Sequence, residues 1–312
     1  ATLLLIPYTF LIRIHTLIYP QRYEVQEYDT PFAKYLFEDV IAAPLLQNII
    51  ACIVVFLIAN FINRHIIRNR ISKHQTLIPG LFFILITAGM PGGLVLSPVL
   101  LSCIFILLAL LNINSIYKSN DFAIRIFNTG LHLSIAVLLY PANIALWTLA
   151  LISILILRSF RFNEILILTS GMIAPIFMVG TYYYWTGNLS LIYEYFQFDN
   201  GILGVIWQME LQSSIYLGAI AIIVIYCIVR YNNYTMKNNI QVQKKIDIIY
   251  WLMLFCLLMM FFVNDIAVTH LVILAIPFAM FVGMSYEKMK NSLIAEVLHI
   301  AIIVAILTFQ FA

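Results

Sequence analysis

Charged residues are scarce in this chain. Only 10% of its 312 residues are Asp, Glu, Lys or Arg, whereas 63% are hydrophobic and the mean hydropathy is +0.99. A water-soluble surface needs many more ionised side chains to stay dispersed. The composition therefore excludes a soluble globular protein and predicts that lipid is the solvent. The largest polar segments are 20–40, 186–210 and 231–245, so we expect one integral membrane domain over residues 1–312.

Cysteine is also sparse and is not arranged for metal binding. The chain has no C-x-x-C motif and no His cluster of metal-ligand spacing near a cysteine. We interpret the four cysteines as small core residues and predict neither a metal nor another cofactor. The basic residues form no stripe that could follow a phosphate backbone, so nucleic acid is not an expected partner. The cysteines are Cys52, Cys103, Cys227 and Cys256.

Long apolar runs dominate the sequence, and about 20 helical residues cross a hydrocarbon core. The runs lack the alternation of a barrel strand, so we predict an all-α, polytopic transmembrane helical bundle of about eleven spans. Two boundaries are open, because Met90–Gly93 fits a re-entrant hairpin and Tyr140-Pro141 fits a kinked long helix. The spans are 2–19, 41–62, 77–91, 94–116, 122–140, 141–158, 164–185, 211–230, 246–263, 266–284 and 292–311.

The charges in successive loops indicate the topology. With these spans, 14 of the 17 basic residues fall in the loops, or at the adjoining span ends, on one side, and that side is cytoplasmic by the positive-inside rule. The N-terminus is therefore predicted to be cytoplasmic, in a multi-pass membrane protein. The 14 residues are Arg64, Arg68, Arg70, Lys73, Lys118, Arg125, Arg158, Arg161, Arg230, Lys237, Lys244, Lys245, Lys288 and Lys290.

Acidic residues gather on the opposite side, where 9 of the 14 lie. Since acids contribute little to topology, this excess suggests a functional reason. The first external loop carries Glu24, Glu27 and Asp29, and crowded carboxylates raise one another's pKa, which suits a general base. The residues after Pro31 have an apolar face at helical spacing and predict an interfacial helix. The alternative is a solvated acidic loop followed by an ordinary helix start.

Two further groups are candidates for binding a substrate. Arg13 lies inside the first span toward its outer end, where a guanidinium suits a phosphate or snorkels to the headgroups. Asp265 and His270 lie at the outer start of the tenth span, where His270 could bind a lipid phosphate or shuttle a proton. Alternatively, Asp265 caps a helix and His270 is a packing residue.

Aromatic side chains and carboxylates share the second external loop, 186–210. Such a mixture can bind a sugar, although it is also typical of an interfacial aromatic belt. In the seventh span, Ser170-Gly171 and Gly180 predict close helix packing.

Two stretches, Leu11–Ile14 with Tyr28–Tyr35 and Phe127–Leu131 with Tyr140-Pro141, resemble motifs of a known family. That family is the C-type (GT-C) superfamily of multipass glycosyltransferases, which use polyprenyl-phosphate sugars at the outer membrane face. The stretch Leu11–Ile14 leading into Tyr28–Tyr35 is similar to that superfamily's first helix and its catalytic acidic motif. The stretch from Phe127 to Leu131, continuing to Tyr140-Pro141, resembles its Gly-rich middle helix that ends in a proline.

A third feature, Thr269–Leu271 followed by Pro277, is similar to the basic residue and proline of the superfamily's late helix. The whole chain also resembles an uncharacterised bacterial family of integral membrane proteins of about 300 residues, with counterparts at Arg13, Leu96–Pro98, Tyr140-Pro141 and Asn264-Asp265. That family supplies no activity.

The superfamily resemblance implies a GT-C-like fold and an inverting transfer of a lipid-linked sugar in envelope glycan or glycoprotein assembly. Asp29 would be the general base assisted by Glu27, while Arg13 and His270 bind the polyprenyl phosphate and Glu24 and Asp265 adjoin the substrate. This chain has Thr30 where many members have a second acid, and it lacks their large external C-terminal domain.

Two other classes of function fit the sequence. A non-catalytic subunit or scaffold of an envelope secretion or surface-polymer export complex would bind a membrane-protein partner. A lipid transporter or scramblase is less favoured, because the spans have few ionisable groups near their midpoints.

Overall fold

The fold is described by a computed structural model for residues 2–26, 29–72, 76–117, 119–159, 161–191, 211–236, 238–259, 268–289 and 291–311. These residues form helices and connecting turns, with no β-strand among them. The all-α prediction is confirmed for this part of the chain.

Fourteen α-helices occur in the described residues, and each of the eleven predicted apolar runs overlaps at least one of them. Short 3₁₀ segments cover Thr2–Leu4, Pro91–Gly93, Pro141–Ile144 and Val268–Leu274, and a π-helical turn covers Leu36–Val40. The helices are α1 (Leu5–Ile12), α2 (Ile14–Ile18), α3 (Pro31–Tyr35), α4 (Pro44–Arg68), α5 (Ile78–Gly89), α6 (Pro98–Asn114), α7 (Phe122–Leu139), α8 (Ala145–Leu157), α9 (Phe162–Trp185), α10 (Leu211–Val229), α11 (Tyr231–Thr235), α12 (Ile240–Met259), α13 (Ala275–Glu287) and α14 (Ser292–Phe311).

Several helices have the length and composition of membrane spans. Among the described residues, four are long and apolar enough to cross a membrane: Pro44–Arg68, Phe122–Leu139, Phe162–Trp185 and His270–Glu287. Shorter apolar helices cover Ile78–Gly89, Pro98–Asn114, Pro141–Leu157 and Leu293–Thr308. These helices are those of a membrane protein, while the count of eleven crossings and the GT-C-like fold stay predictions.

Proline ends helices where the sequence predicted breaks. Helix α7 stops at Leu139, Tyr140 is extended, and Asn143 Nδ2 donates to the Ala136 carbonyl at 2.9 Å, so the chain folds back over the end of α7. Helices α7 and α8 are therefore separate and not one kinked helix. The break between α5 and α6 falls at Pro91–Gly93, and the Ser97 hydroxyl caps α6 by accepting from Leu100 N at 3.1 Å.

The core is built around α4, which packs against α1, α5 and α6, while α7 lies between α6 and α9. The contact of α7 with α9 is made backbone to backbone at two glycines. A Cβ atom at Gly130 would lie 2.2 Å from the Leu168 carbonyl oxygen, and one at Gly171 would lie 2.2 Å from that of Phe127. The predicted packing role of Gly171 is confirmed.

Contacts between loops join segments that the charge pattern assigned to the same side. At one end, Ser72 donates to the Glu287 carboxylate at 2.7 and 2.6 Å, and Lys288 Nζ donates to the Asn233 carbonyl at 2.9 Å. At the other end, the first loop contacts the end of α7, and the end of α7 contacts His270 at the start of the tenth apolar run. The grouping of the loops agrees with the predicted topology, whereas the membrane face of each end stays a prediction.

Replacing Gly171 by Ala should destabilise the protein, because the added methyl group collides with the α7 backbone. We expect a loss of about 1–3 kcal/mol in the free energy of unfolding, the usual cost of overpacking. Thermal unfolding in detergent measures it. The matched control is Gly218→Ala in α10, where a Cβ would meet no atom within 4 Å and where Ala should be neutral or slightly stabilising. Equal melting temperatures for the two variants would contradict the backbone contact.

Labelling of single added cysteines should report the topology. The four native cysteines are buried, so they should react little with the reagent and give a low background of labelling. A membrane-impermeant maleimide should label Glu38→Cys in spheroplasts, whereas Asn239→Cys should react only after permeabilisation. Both positions are exposed, so access to the reagent is set by the membrane alone. The reverse labelling pattern would show that the predicted orientation is wrong.

Candidate functional site

Two buried amide side chains at the start of α4 hold the first loop in place. Gln47 accepts from Tyr23 N at 2.8 Å and donates to the Ile41 carbonyl at 2.7 Å. Asn48 donates from Nδ2 to the carbonyls of Gln21, at 2.8 Å, and Pro44, at 2.7 Å. Because both side chains are inaccessible to solvent, these bonds fix the path of the loop instead of exchanging with water.

Asp29 is oriented within this fixed loop. The Tyr23 hydroxyl donates to both carboxylate oxygens, at 3.1 and 3.0 Å, and Gln26 N donates to Oδ2 at 2.8 Å. The Tyr23 ring is itself held against Phe37, with 5.0 Å between ring centroids. Burial raises the pKa of Asp29, while the bonds from Gln26 and Tyr23 and the charge of Lys34 oppose the shift. The carboxylate is thus half-buried and holds a proton more readily than an exposed aspartate does.

Thr30 fastens Asp29 to the helical bundle. Its hydroxyl accepts from Ala33 N at 3.1 Å, which caps α3, and donates to the Leu138 carbonyl at 2.9 Å near the end of α7. Thr30, which stands where the resemblance would expect a second acid, therefore has a structural role in this chain. Helix α3 and the π-helical turn after it confirm the helix predicted beyond Pro31.

His270 lies at the same end of the bundle. Its ring stacks on Tyr140, with centroids 5.3 Å apart and planes 22° apart, and both side chains are buried. Tyr140 is two residues beyond Leu138, whose carbonyl accepts from Thr30. The end of α7 thus contacts both the first loop, through Leu138, and His270, through Tyr140.

Arg13 contacts the turn between α5 and α6. It lies between α1 and α2, has no exposed surface, and donates from Nη1 to the Leu94 carbonyl at 2.9 Å and from Nη2 to the Gly93 carbonyl. The turn Pro91–Gly93 packs against Val268–Leu274, the segment that carries His270. Two of the guanidinium nitrogens are therefore engaged by main-chain carbonyls, and the snorkelling alternative does not fit the complete burial.

The remaining predicted residues are less informative. Glu24 is exposed, and its carbonyl accepts from Gln26 Nε2 at 2.9 Å. Glu27 and Asp265 lie outside the described residues, as do residues 192–210 of the second external loop. Within the described part of the chain, no group of three His, Cys, Asp or Glu side chains is placed to hold a metal ion.

Sequence reasoning missed Gln47 and Asn48, on which the geometry of the loop depends. A signal was present, since two adjacent amides in the first turns of an otherwise apolar span are costly unless they have partners. The hydrogen bonds from Tyr23 to Asp29 could not be predicted, because they depend on how the loop folds.

Comparisons with known proteins identify a family without an activity. No curated protein and no solved structure matches the chain. One family model matches residues 36–312 and is described as a family of unknown function. The matched region contains Tyr140 and His270 and begins after Asp29. This match over most of the chain shows that the protein belongs to the DUF6427 family.

Proposed function

We propose that this protein transfers a sugar from a polyprenyl-phosphate carrier at the outer face of the bacterial inner membrane. The observation that carries the proposal is the connection of Asp29 to His270 through Thr30, Leu138 and Tyr140. An oriented carboxylate and an imidazole at one end of a membrane bundle supply a base and a phosphate-binding group to a substrate that arrives through lipid.

Asp29 is the proposed general base. It takes the proton of the acceptor hydroxyl while that oxygen bonds to the anomeric carbon, and the bond from this carbon to the phosphate oxygen breaks. The polyprenyl phosphate leaves with the bonding electrons, and the configuration inverts because no covalent intermediate forms. A half-buried carboxylate with a raised pKa is a stronger base than an exposed one.

The phosphate of the carrier is assigned to His270 and not primarily to Arg13. The hydrogen bonds of Arg13 to Gly93 and Leu94 stabilise the turn that packs against the segment of His270. Arg13 is accordingly a positioning residue in this proposal. The exposed apolar side chains of the first loop, Phe32 and Tyr35, suit a helix that lies in the headgroup layer beside the carrier.

A non-catalytic scaffold is the second candidate, and the outer half of α9 offers a surface for a partner. Four large side chains there are 69–88% exposed, so this face packs against lipid or another protein and not against the bundle. A membrane-protein partner would cover this surface, and Asp29 would then be replaceable without loss of function. These side chains are Phe177, Met178, Tyr184 and Trp185.

Replacing Asp29 by Asn should abolish sugar transfer and leave folding intact, because the amide keeps the shape of the carboxylate but cannot accept the proton. The assay supplies the purified protein in nanodiscs with a panel of undecaprenyl-phosphate monosaccharides and envelope extract as acceptor, and measures the undecaprenyl phosphate released by mass spectrometry. We expect a loss of at least about 100-fold, the usual contribution of a general base.

The matched control is Asp39→Asn, which removes an exposed acid of the same external segment and should leave the rate unchanged. Full activity of Asp29→Asn would remove Asp29 as the base. Copurification of a stable protein partner, together with unchanged function when Asp29 is replaced, would favour the scaffold.

Replacing Tyr23 by Phe should move the acid limb of the pH profile upward. Activity requires ionised Asp29, so it falls as the pH drops through the pKa of that carboxylate in the folded protein. Loss of the Tyr23 hydroxyl removes a bond that lowers this pKa, so the fall should begin at higher pH than in the native protein. The rate measured over pH 4–8 tests it, with the exposed Tyr184→Phe as control. Superimposable profiles for Tyr23→Phe and the native protein would contradict the assignment.

A further inference from the structure

A cavity of about 500 Å³ lies at the end of the bundle opposite Asp29, where α11 packs on α13 beside the segment after α4. Its size is that of a small-molecule site, and the charge pattern predicts that it faces the cytoplasm. Polar and apolar side chains share its lining. The residues used below are Ile71, Arg230, Tyr234, Met284, Glu287 and Lys288.

Hydrogen bonds hold the wall of this cavity, so the cavity is built into the fold. Tyr234 is buried, and its hydroxyl donates to the Phe281 carbonyl at 3.2 Å and bonds to Ser285 Oγ. Lys288 Nζ donates to the Asn233 carbonyl at 2.9 Å and lies 5.0 Å from the centre of the Tyr234 ring. These contacts join α11 to α13 without help from a ligand.

The lining carries a positive charge. Arg230 and Lys288 are its two cations, and Glu287 is the carboxylate found among the described lining residues. Both oxygens of Glu287 accept from Ser72 Oγ, at 2.7 and 2.6 Å, which holds the carboxylate in place. Two cations against one carboxylate leave the described lining with a net positive charge. An adjoining cavity of about 200 Å³ is lined by the same Arg230 and Lys288, so the two cations face a continuous region.

Arg230 is placed to meet a ligand. It is exposed, directly follows α10, and lies over the Tyr226 ring with 5.5 Å to the ring centroid. A guanidinium with this freedom matches the oxygens of a phosphate better than an ammonium group does. Ile71 and Met284 are buried apolar neighbours in the same wall, so the site combines a cationic opening with an apolar interior.

We propose that this cavity binds the phosphate headgroup of an anionic phospholipid from the cytoplasmic leaflet, with Arg230 and Lys288 on the phosphate and the apolar wall against the glycerol and the upper acyl chain. Basic pockets beside membrane helices bind anionic headgroups in this way. The proposal is independent of the sugar-transfer function, because no residue is shared with the region of Asp29 and His270.

Native mass spectrometry of the full chain released from detergent micelles tests the proposal, with phosphatidylglycerol and phosphatidylcholine of the same acyl chains as the two probes. We expect a preference of about tenfold for phosphatidylglycerol that falls to about equal binding in Arg230→Gln. The matched control is Arg161→Gln, an exposed arginine predicted on the same side and absent from the described cavity lining, which should keep the preference.

A second variant separates electrostatics from loss of structure. Glu287→Gln removes the carboxylate of the lining, so it should strengthen phosphatidylglycerol binding a few-fold, whereas a damaged cavity would weaken binding in both variants. Equal retention of the two lipids by the native protein, or weaker binding in Glu287→Gln, would overturn the proposal. Displacement of phosphatidylglycerol by millimolar glycerol 3-phosphate would also overturn it, by showing a site for a soluble phosphate compound.

Discussion

At the end of the bundle that carries Asp29, the structure depends on one constraint, which is that main-chain carbonyls near helix breaks need hydrogen-bond donors where water is scarce. Proline and glycine interrupt the chain after α5 and α7, and buried side chains then donate to carbonyls at and near these breaks. Arg13 donates to Gly93 and Leu94, Thr30 donates to Leu138, and Asn143 donates to Ala136. Each of these bonds joins segments that are distant in sequence or closes a turn, so the helix breaks determine which loops meet.

The candidate site follows from these bonds. The bond from Thr30 to Leu138 places the first loop against α7, and the amides of Gln47 and Asn48 fix the rest of its path. Asp29 then sits in a rigid, half-buried loop whose tyrosine and main chain orient its carboxylate. The chemistry proposed for Asp29 therefore depends on the hydrogen bonds that hold the main chain of the first loop. A carboxylate in a solvated loop would have neither the fixed orientation nor the raised pKa.

The sequence predicted the helical class, the two proline breaks and the grouping of loops by charge, because apolar length, proline and basic residues each act locally. It also indicated Asp29 and His270 as candidate site residues, but it did not predict that the end of α7 contacts both of their segments, since the stacking of Tyr140 on His270 depends on tertiary packing. Arg13 shows the limit most clearly. An arginine inside a predicted span suggested a phosphate-binding residue. In the structure, its two terminal nitrogens donate to the carbonyls of Gly93 and Leu94, and no local sequence pattern could pair these residues with Arg13.

The most direct test of the account is a cryo-EM map of the protein in nanodiscs with its native lipids retained. The account predicts lipid density at the outer end, with a phosphate beside His270, a chain that leaves into the outer leaflet, and Asp29 facing the group attached to that phosphate. A closed bundle in which Asp29 and His270 contact only protein, or a protein partner seated over the first loop, would contradict the transferase and favour the scaffold.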